Sequence, residues 1–133
     1  MKIYSRLLIQ FLISFFTLCA SFQAAAVTLD AKAAKSLISD RMWTQNSQVG
    51  PGLRYWSWKS DGSVCLRTES KTSKCADKGR WKLDSGRLCY ELEWGGASMG
   101  VKSACFRISD QKEGLYEALQ DNGFTLFKFS VSK

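Results

Sequence analysis

From residue 53 onward, apolar and polar residues alternate in short runs of the kind that form β-strands. Aromatic and β-branched residues fill the runs, and turn sequences such as Asp61-Gly62 and Asn122-Gly123 separate them. Short turns join strands that are neighbours in a sheet, so the order predicts a mainly β fold, an antiparallel up-and-down meander. About seven strands are enough for the sheet to curl or close into a small barrel, which removes exposed edges. The strands are predicted at residues 53–59, 63–68, 79–83, 87–94, 101–109, 114–119 and 124–131.

The segment before these strands has helical spacing. Apolar residues recur every three or four positions across residues 29–41, and lysines occupy the opposite side. Thr28 or Asp30 can cap the first turn. We therefore predict one N-terminal α-helix that ends at about residue 41 and packs on the sheet or closes one end of it, followed by Trp43 as a core residue.

The first 26 residues have the pattern of a secretory signal peptide. Lys2 and Arg6 form a basic start, residues 7–22 are largely apolar, and small residues follow up to Ala26. The apolar run is shorter than the roughly 20 residues that a spanning helix needs. We predict cleavage near Ala26 and no transmembrane segment in the mature protein.

Residues 27–133 are predicted to form a single disulfide-stapled β-domain with a basic surface. Without Lys2 and Arg6, 17 of the 19 basic residues remain against 12 acidic ones, a net charge of +5. Such a charge favours anionic surfaces, among which are lipopolysaccharide, phospholipid headgroups and acidic glycans. Export argues against nucleic acid as the partner.

Four cysteines remain after the predicted cleavage, an even number that indicates disulfides in an exported domain. Cys89 and Cys105 each lie eight residues from the hairpin centre at Ala97, on the polar faces of their strands. Cross-strand neighbours are close enough for a bridge. We predict the pairs Cys89–Cys105 and Cys65–Cys75. The chain has no histidine and no Cys-x-x-Cys pair, so we expect no metal site and no cofactor.

The order of several short motifs resembles a known family. The motifs are Gly79-Arg80-Trp81, then Gly86-Arg87-Leu88-Cys89-Tyr90, then Trp94-Gly95 and Cys105-Phe106. Together they resemble the short exported proteobacterial proteins grouped as domain of unknown function 995. The resemblance covers nearly all of the mature chain and implies an envelope protein with a Cys89–Cys105 pair. It carries no established activity, so no functional residue is transferred, and the pair Cys65–Cys75 departs from the family pattern.

Most catalytic arrangements are excluded by composition. Without histidine, neither a Ser-His-Asp nor a Cys-His arrangement can form. Glu91 and Glu93 lie two apart on one strand, so they project from the same face about 6.5–7 Å apart. That separation falls within the range of inverting glycosidases. We favour a solvated outer face, on which Lys82 and Lys102 are their neighbours.

An aromatic strand supplies the first candidate binding residues. Trp56 and Trp58 share one face of the strand, and Tyr55 lies on the other. Flat aromatic rings can stack on sugars or enter a protein interface. The competing interpretation places one side in the core, together with Trp94 and other aromatic residues. Unless the helix covers this strand, either the two tryptophans or Tyr55 is exposed for binding.

A basic loop supplies the second set of candidate binding residues. Lys71, Lys74, Lys78 and Arg80 follow one another across a polar stretch that the Cys65–Cys75 pair would pin at its base. A pinned loop loses less entropy when it docks on an anion. A solvated loop without a ligand is the simpler interpretation.

These residues lead to three functional hypotheses. The first is a non-enzymatic periplasmic or secreted binding module for an anionic envelope component or a protein. The alternative is an inhibitor of an extracellular hydrolase, lysozyme or a protease, which rests on analogy of fold alone. The third is a glycan-active enzyme that uses Glu91 and Glu93.

Overall fold

The computed structural model of the chain describes residues 27–46, 52–98 and 101–132. This part contains a helix, α1 (Ala31–Ile38), and a short 3-10 turn at Gly96–Ser98. The predicted signal peptide, residues 1–26, lies outside the described residues and stays a prediction. The strands are β1 (Val27–Thr28), β2 (Arg41–Asn46), β3 (Leu53–Trp58), β4 (Ser63–Arg67), β5 (Asp77–Asp84), β6 (Arg87–Leu92), β7 (Ser103–Lys112), β8 (Leu115–Leu119) and β9 (Thr125–Ser132).

The strands form a closed antiparallel barrel. From β2 to β9 each strand pairs with the next one along the chain, and β9 pairs back onto β2, which closes eight strands into a ring. Strand β1 pairs with β7 through Val27 and Asp110, beyond the segment of β7 that β6 covers. The predicted mainly β meander with one helix is therefore confirmed, and the curled sheet is a barrel.

The strand that closes the barrel lies where the sequence predicts the end of the helix. Asp30 caps α1 as predicted, accepting a hydrogen bond from the backbone N–H of Ala33 at 2.8 Å. The helix ends at Ile38, however, and Asp40 adopts a left-handed φ of 58° with its N–H bonded to the Trp58 carbonyl. Because β2 pairs with both β3 and β9, its ladder hydrogen bonds override the helical periodicity.

Aromatic side chains fill the barrel. Trp43 stacks on Phe129 with ring centroids 3.9 Å apart, and its ring lies 4.9 Å from that of Trp58. Burial raises the pKa of Tyr90, in the same cluster, to about 12. A barrel of eight strands has an interior that side chains alone can fill. The largest fully buried side chains are Trp43, Trp58, Phe106, Phe129, Ile38, Leu66, Leu88, Leu92 and Ile108.

Both predicted disulfides are present on the outer wall. Cys89 lies directly opposite Cys105 in the β6–β7 register, and their Cα atoms are 4.1 Å apart. Cys65, on β4, is bonded to Cys75 in the connection before β5. The positions of Cys89 and Cys105 about the hairpin centre predicted the first bridge, and Cys65 and Cys75 were then the pair that remained.

Candidate functional site

The structure removes Trp56 and Trp58 from the candidate binding residues. Their side chains are only 3% and 1% exposed, inside the barrel. The face of β3 that carries them turns inward, where both rings pack against that of Tyr90 and Trp58 also contacts Trp43. Tyr55, on the opposite face, is half-buried on the outside. The alternative that the sequence left open is therefore decided in favour of a tryptophan core.

Strand β5 places Lys78 and Arg80 on the outside of the barrel. In the pairing with β4, Lys78 lies beside Cys65 and Arg80 beside Ser63. Their intervening residue, Gly79, lies beside the buried side chain of Val64. Because side chains alternate along a strand, the two basic residues share the outer face.

These two residues line a groove on the outer wall, which we call the outer groove. Its volume is about 620 Å³, and it runs across β4, β5 and β6 to the start of β7. The Cys65–Cys75 disulfide and the backbone around Gly79 form part of its wall. Its charged lining consists of Lys59, Lys78, Arg80, Lys102, Glu91 and Glu93.

The charges of the outer groove are not neutralised by ion pairs. Arg80 lies opposite Glu91 in the β5–β6 register, and the N–H of Glu93 donates to the Lys78 carbonyl at 2.8 Å. Within the described residues, the ion pairs all lie elsewhere on the barrel: Arg87–Asp121, Arg107–Asp121 and Lys128–Glu117. The basic side chains of the groove therefore remain available to a ligand.

The turn at one end of the groove, around Asp61, is fixed by hydrogen bonds and lies beside Arg80. Hydrogen bonds from the hydroxyl and the N–H of Ser63, with a smaller contribution from the charge of Arg80, lower the pKa of Asp61. The guanidinium of Arg80 in turn donates to the Asp61 carbonyl oxygen at 3.4 Å. This bond holds Arg80 beside the β3–β4 turn.

The other two residues of the predicted basic loop lie apart from the groove. Lys71 donates from Nζ to Ser132 Oγ at 3.2 Å, and Lys74 is exposed. The connection folds back along the outer wall because Arg67 donates to the Ser73 carbonyl at 2.7 Å. The structure thus brings Lys78 and Arg80 together in the outer groove, whereas Lys71 and Lys74 do not line it.

Two basic residues that were not among the predicted binding residues complete the lining, Lys59 and Lys102. Both were predicted at the ends of strands, and in the structure Lys59 directly follows β3 and Lys102 directly precedes β7. The sequence placed Lys102 beside Glu91 and Glu93 but as part of a solvated face. In the structure Leu92 donates its N–H to the Lys102 carbonyl, and all three charged residues line the groove.

A buried acidic residue, also missed, holds the loop that begins beside the groove. Asp77 is 4% exposed, and its carboxyl oxygens accept hydrogen bonds from the N–H groups of Trp94 at 3.2 Å and Gly95 at 2.6 Å. It also accepts the N–H of Lys78 at 2.9 Å. This clamp ties the end of β6 to the start of β5.

Trp94, assigned to the core in the sequence interpretation, is instead 69% exposed. The hydrogen bond to Asp77 turns the chain out of β6 after Leu92, so Trp94 no longer follows the inward alternation of that strand. A Cβ atom on Gly96 would overlap the Trp94 ring, which shows that the ring rests on that glycine. The tryptophan is thus presented to solvent on a held loop.

The arrangement offers ligand-binding chemistry. Glu91 and Glu93 are both exposed and both line the outer groove, beside basic rather than acidic neighbours. Among the described residues, no group of three or more acidic, cysteine or histidine side chains is placed to hold a metal ion. The groove can hold anionic groups on its basic side chains and hydrogen-bond donors on its carboxyl groups.

Comparison with known proteins gives one match. The sequence model of the family described as Protein of unknown function (DUF995) matches residues 8–131. No curated protein and no solved structure shows significant similarity to the chain. None of the helices in the described ranges has the length and apolar character needed to cross a membrane. The two disulfides indicate an oxidising environment outside the cytoplasm.

Proposed function

The chain belongs to the family Protein of unknown function (DUF995), and we propose that it is a non-enzymatic binding module for an anionic envelope component. In this proposal the signal peptide is cleaved near Ala26, and the oxidised domain works in the periplasm or the surrounding medium. The outer groove is the binding site, and its basic side chains contact the ligand.

The observation that carries the proposal is the clustering of unpaired positive charge. Four basic side chains and two acidic ones line the same groove, and none of the six is in an ion pair. The basic side chains outnumber the acidic ones, and an excess of one sign of charge in a concave surface raises the local potential and the concentration of counter-ions there. An anionic ligand would relieve the repulsion among the four basic groups.

Two further observations support binding at the outer wall. The barrel interior is filled by aromatic side chains, so an internal ligand would have to displace the core. The sequence also has no histidine, the commonest general base in enzymes. Lys78 and Arg80 of the original candidate set take part, whereas Lys71, Lys74 and the two core tryptophans do not.

We expect the double substitution Lys78→Gln/Arg80→Gln to weaken binding of polygalacturonate by at least about tenfold. Each side chain can make a charge-assisted contact, and losing two such contacts accounts for that factor. Titration calorimetry at low salt measures the affinity, and binding of the unsubstituted protein should weaken as salt rises.

The matched control is Lys82→Gln/Lys32→Gln, which removes the same net charge from exposed positions outside the groove. Lys82 is on the same strand as the two test residues, and Lys32 is on α1. An equal loss of affinity in this control would show that net charge alone drives binding, and the groove would then not be the site.

A further inference from the structure

We infer that the ligand of the outer groove is an acidic carbohydrate, an anion that carries hydroxyl groups and exposed ring faces. The inference rests on the proposed function and specifies its ligand class. It comes from two features that a site for a bare anion would not need. These are the acidic residues of the lining and an exposed, fixed tryptophan, Trp94, that directly follows one of them in the chain.

Glu91 and Glu93 make the groove selective. In a site for a bare polyanion, two carboxyl groups opposite Arg80 and Lys78 would repel the ligand and lower its affinity. Ionised carboxyl groups accept hydrogen bonds and donate none. A ligand that offers hydroxyl donors within a few ångströms of its acidic groups satisfies both signs of charge. Sugar acids have this arrangement on every ring.

Trp94 offers a flat apolar surface at the edge of the groove, although it is not itself one of the residues that line it. It directly follows Glu93, and the loop that it begins returns to the barrel at Lys102, so both ends of the loop line the groove. The residue is 69% exposed, although its backbone N–H is hydrogen-bonded to the Asp77 carboxyl group and its ring rests on Gly96. An exposed but fixed aromatic ring loses little entropy on binding, and the C–H face of a sugar ring can stack on it.

The test compares two carboxylate polymers that differ in their hydroxyl groups and rings. Polygalacturonate has both, and polyacrylate has neither. We expect Glu91→Gln/Glu93→Gln to lower the affinity ratio of polygalacturonate to polyacrylate by about fivefold, since charged acceptors bind hydroxyls more tightly than neutral ones. Removing two negative charges from the groove raises the affinity for both polyanions, and this common increase cancels when one affinity is divided by the other.

The second variant is Trp94→Ala, which keeps the backbone N–H that donates to the Asp77 carboxyl group. We expect about a tenfold loss of polygalacturonate affinity, and a change of less than about twofold for polyacrylate, since only the sugar polymer has rings to stack. Phe124→Ala is the control, because Phe124 is 66% exposed but lies in the connection between β8 and β9, two strands that contribute no residue to the groove. Melting temperatures of all variants establish that each is folded.

The outcomes separate the inference from the proposed function. If each variant changed the affinities for polygalacturonate and polyacrylate by the same factor, the carbohydrate inference would be wrong, but the groove would still be an anion site. The same conclusion would follow if vesicles of anionic phospholipid bound and polygalacturonate did not. If polyacrylate, polygalacturonate and vesicles all failed to bind the oxidised protein, the proposed function itself would be wrong.

Discussion

Replacing Gly79 with alanine is expected to lower the free energy of unfolding by at least about 3 kcal/mol. A Cβ atom at this position would overlap the carbonyl oxygen of Glu91 and would lie 2.8 Å from the Cα of Leu92. Both obstacles are backbone atoms of β6, so no side-chain rotation can relieve the overlap. Strands β5 and β6 would have to separate where Gly79 pairs with Leu92. Urea unfolding followed by tryptophan fluorescence measures the loss.

Gly123→Ala is the matched control for this substitution. Nothing lies within 4 Å of a Cβ atom built on Gly123, although its φ of +82° favours glycine. We therefore expect a cost of about 1 kcal/mol from backbone strain alone. If Gly79→Ala cost no more than Gly123→Ala, the close approach of β5 and β6 would not exist in solution.

The Gly79→Ala substitution has a second expected consequence. Gly79 lies between Lys78 and Arg80, and its backbone forms part of the wall of the outer groove. Separation of β5 from β6 would move both basic side chains away from Glu91 and Glu93. If the Gly79→Ala protein remains folded, it should therefore bind polygalacturonate more weakly than the unsubstituted protein.

Asp77→Ala is expected to lower the free energy of unfolding by about 3–5 kcal/mol. The substitution leaves the N–H groups of Lys78, Trp94 and Gly95 without the carboxyl oxygens that now accept them. A buried donor without an acceptor costs about 1–3 kcal/mol, and partial entry of water reduces the sum. Asp77→Asn should lose less, because the amide retains one acceptor oxygen. Chemical denaturation of the three proteins under the same conditions gives the comparison.

Asp84→Ala is the control for Asp77→Ala, because Asp84 ends the same strand but is exposed. It accepts one exposed hydrogen bond from Ser85 Oγ at 3.3 Å, so we expect a change within about 0.5 kcal/mol. A loss below about 1 kcal/mol for Asp77→Ala would contradict the clamp. The held position of Trp94, which the carbohydrate inference uses, would then lose its structural basis.

Local sequence patterns predicted a large part of the fold. The turn sequences placed the later hairpins, and residue parity around Ala97 predicted the Cys89–Cys105 bridge that the register confirms. Asp30 was predicted as one of two possible helix caps, and its side chain fills that role. Each of these features depends on residues close together in the chain, so a local pattern carries the information.

Features that depend on distant pairing were not predicted. Residues 41–46 have too few strand signals of their own, and they become β2 because β3 and β9 supply hydrogen bonds on both sides. The candidate site was affected in the same way. The sequence grouped Lys78 and Arg80 with Lys71 and Lys74 as one basic loop. Only the pairing of β5 with β4 and β6 separates the first two from the loop and gathers them with Lys59 and Lys102 in one groove.

The sequence by itself determined the consecutive order of the strands from β3 to β9, the spacing of the disulfides and which residues of each strand share a face. It could not determine which face is the interior, because β3 carries aromatic residues on both. That choice was made when β9 paired with β2 and closed the ring, turning Trp56 and Trp58 inward and Lys78 and Arg80 outward. Closure joins segments about 85 residues apart, and a pattern with a period of two residues contains no information about a contact at that distance.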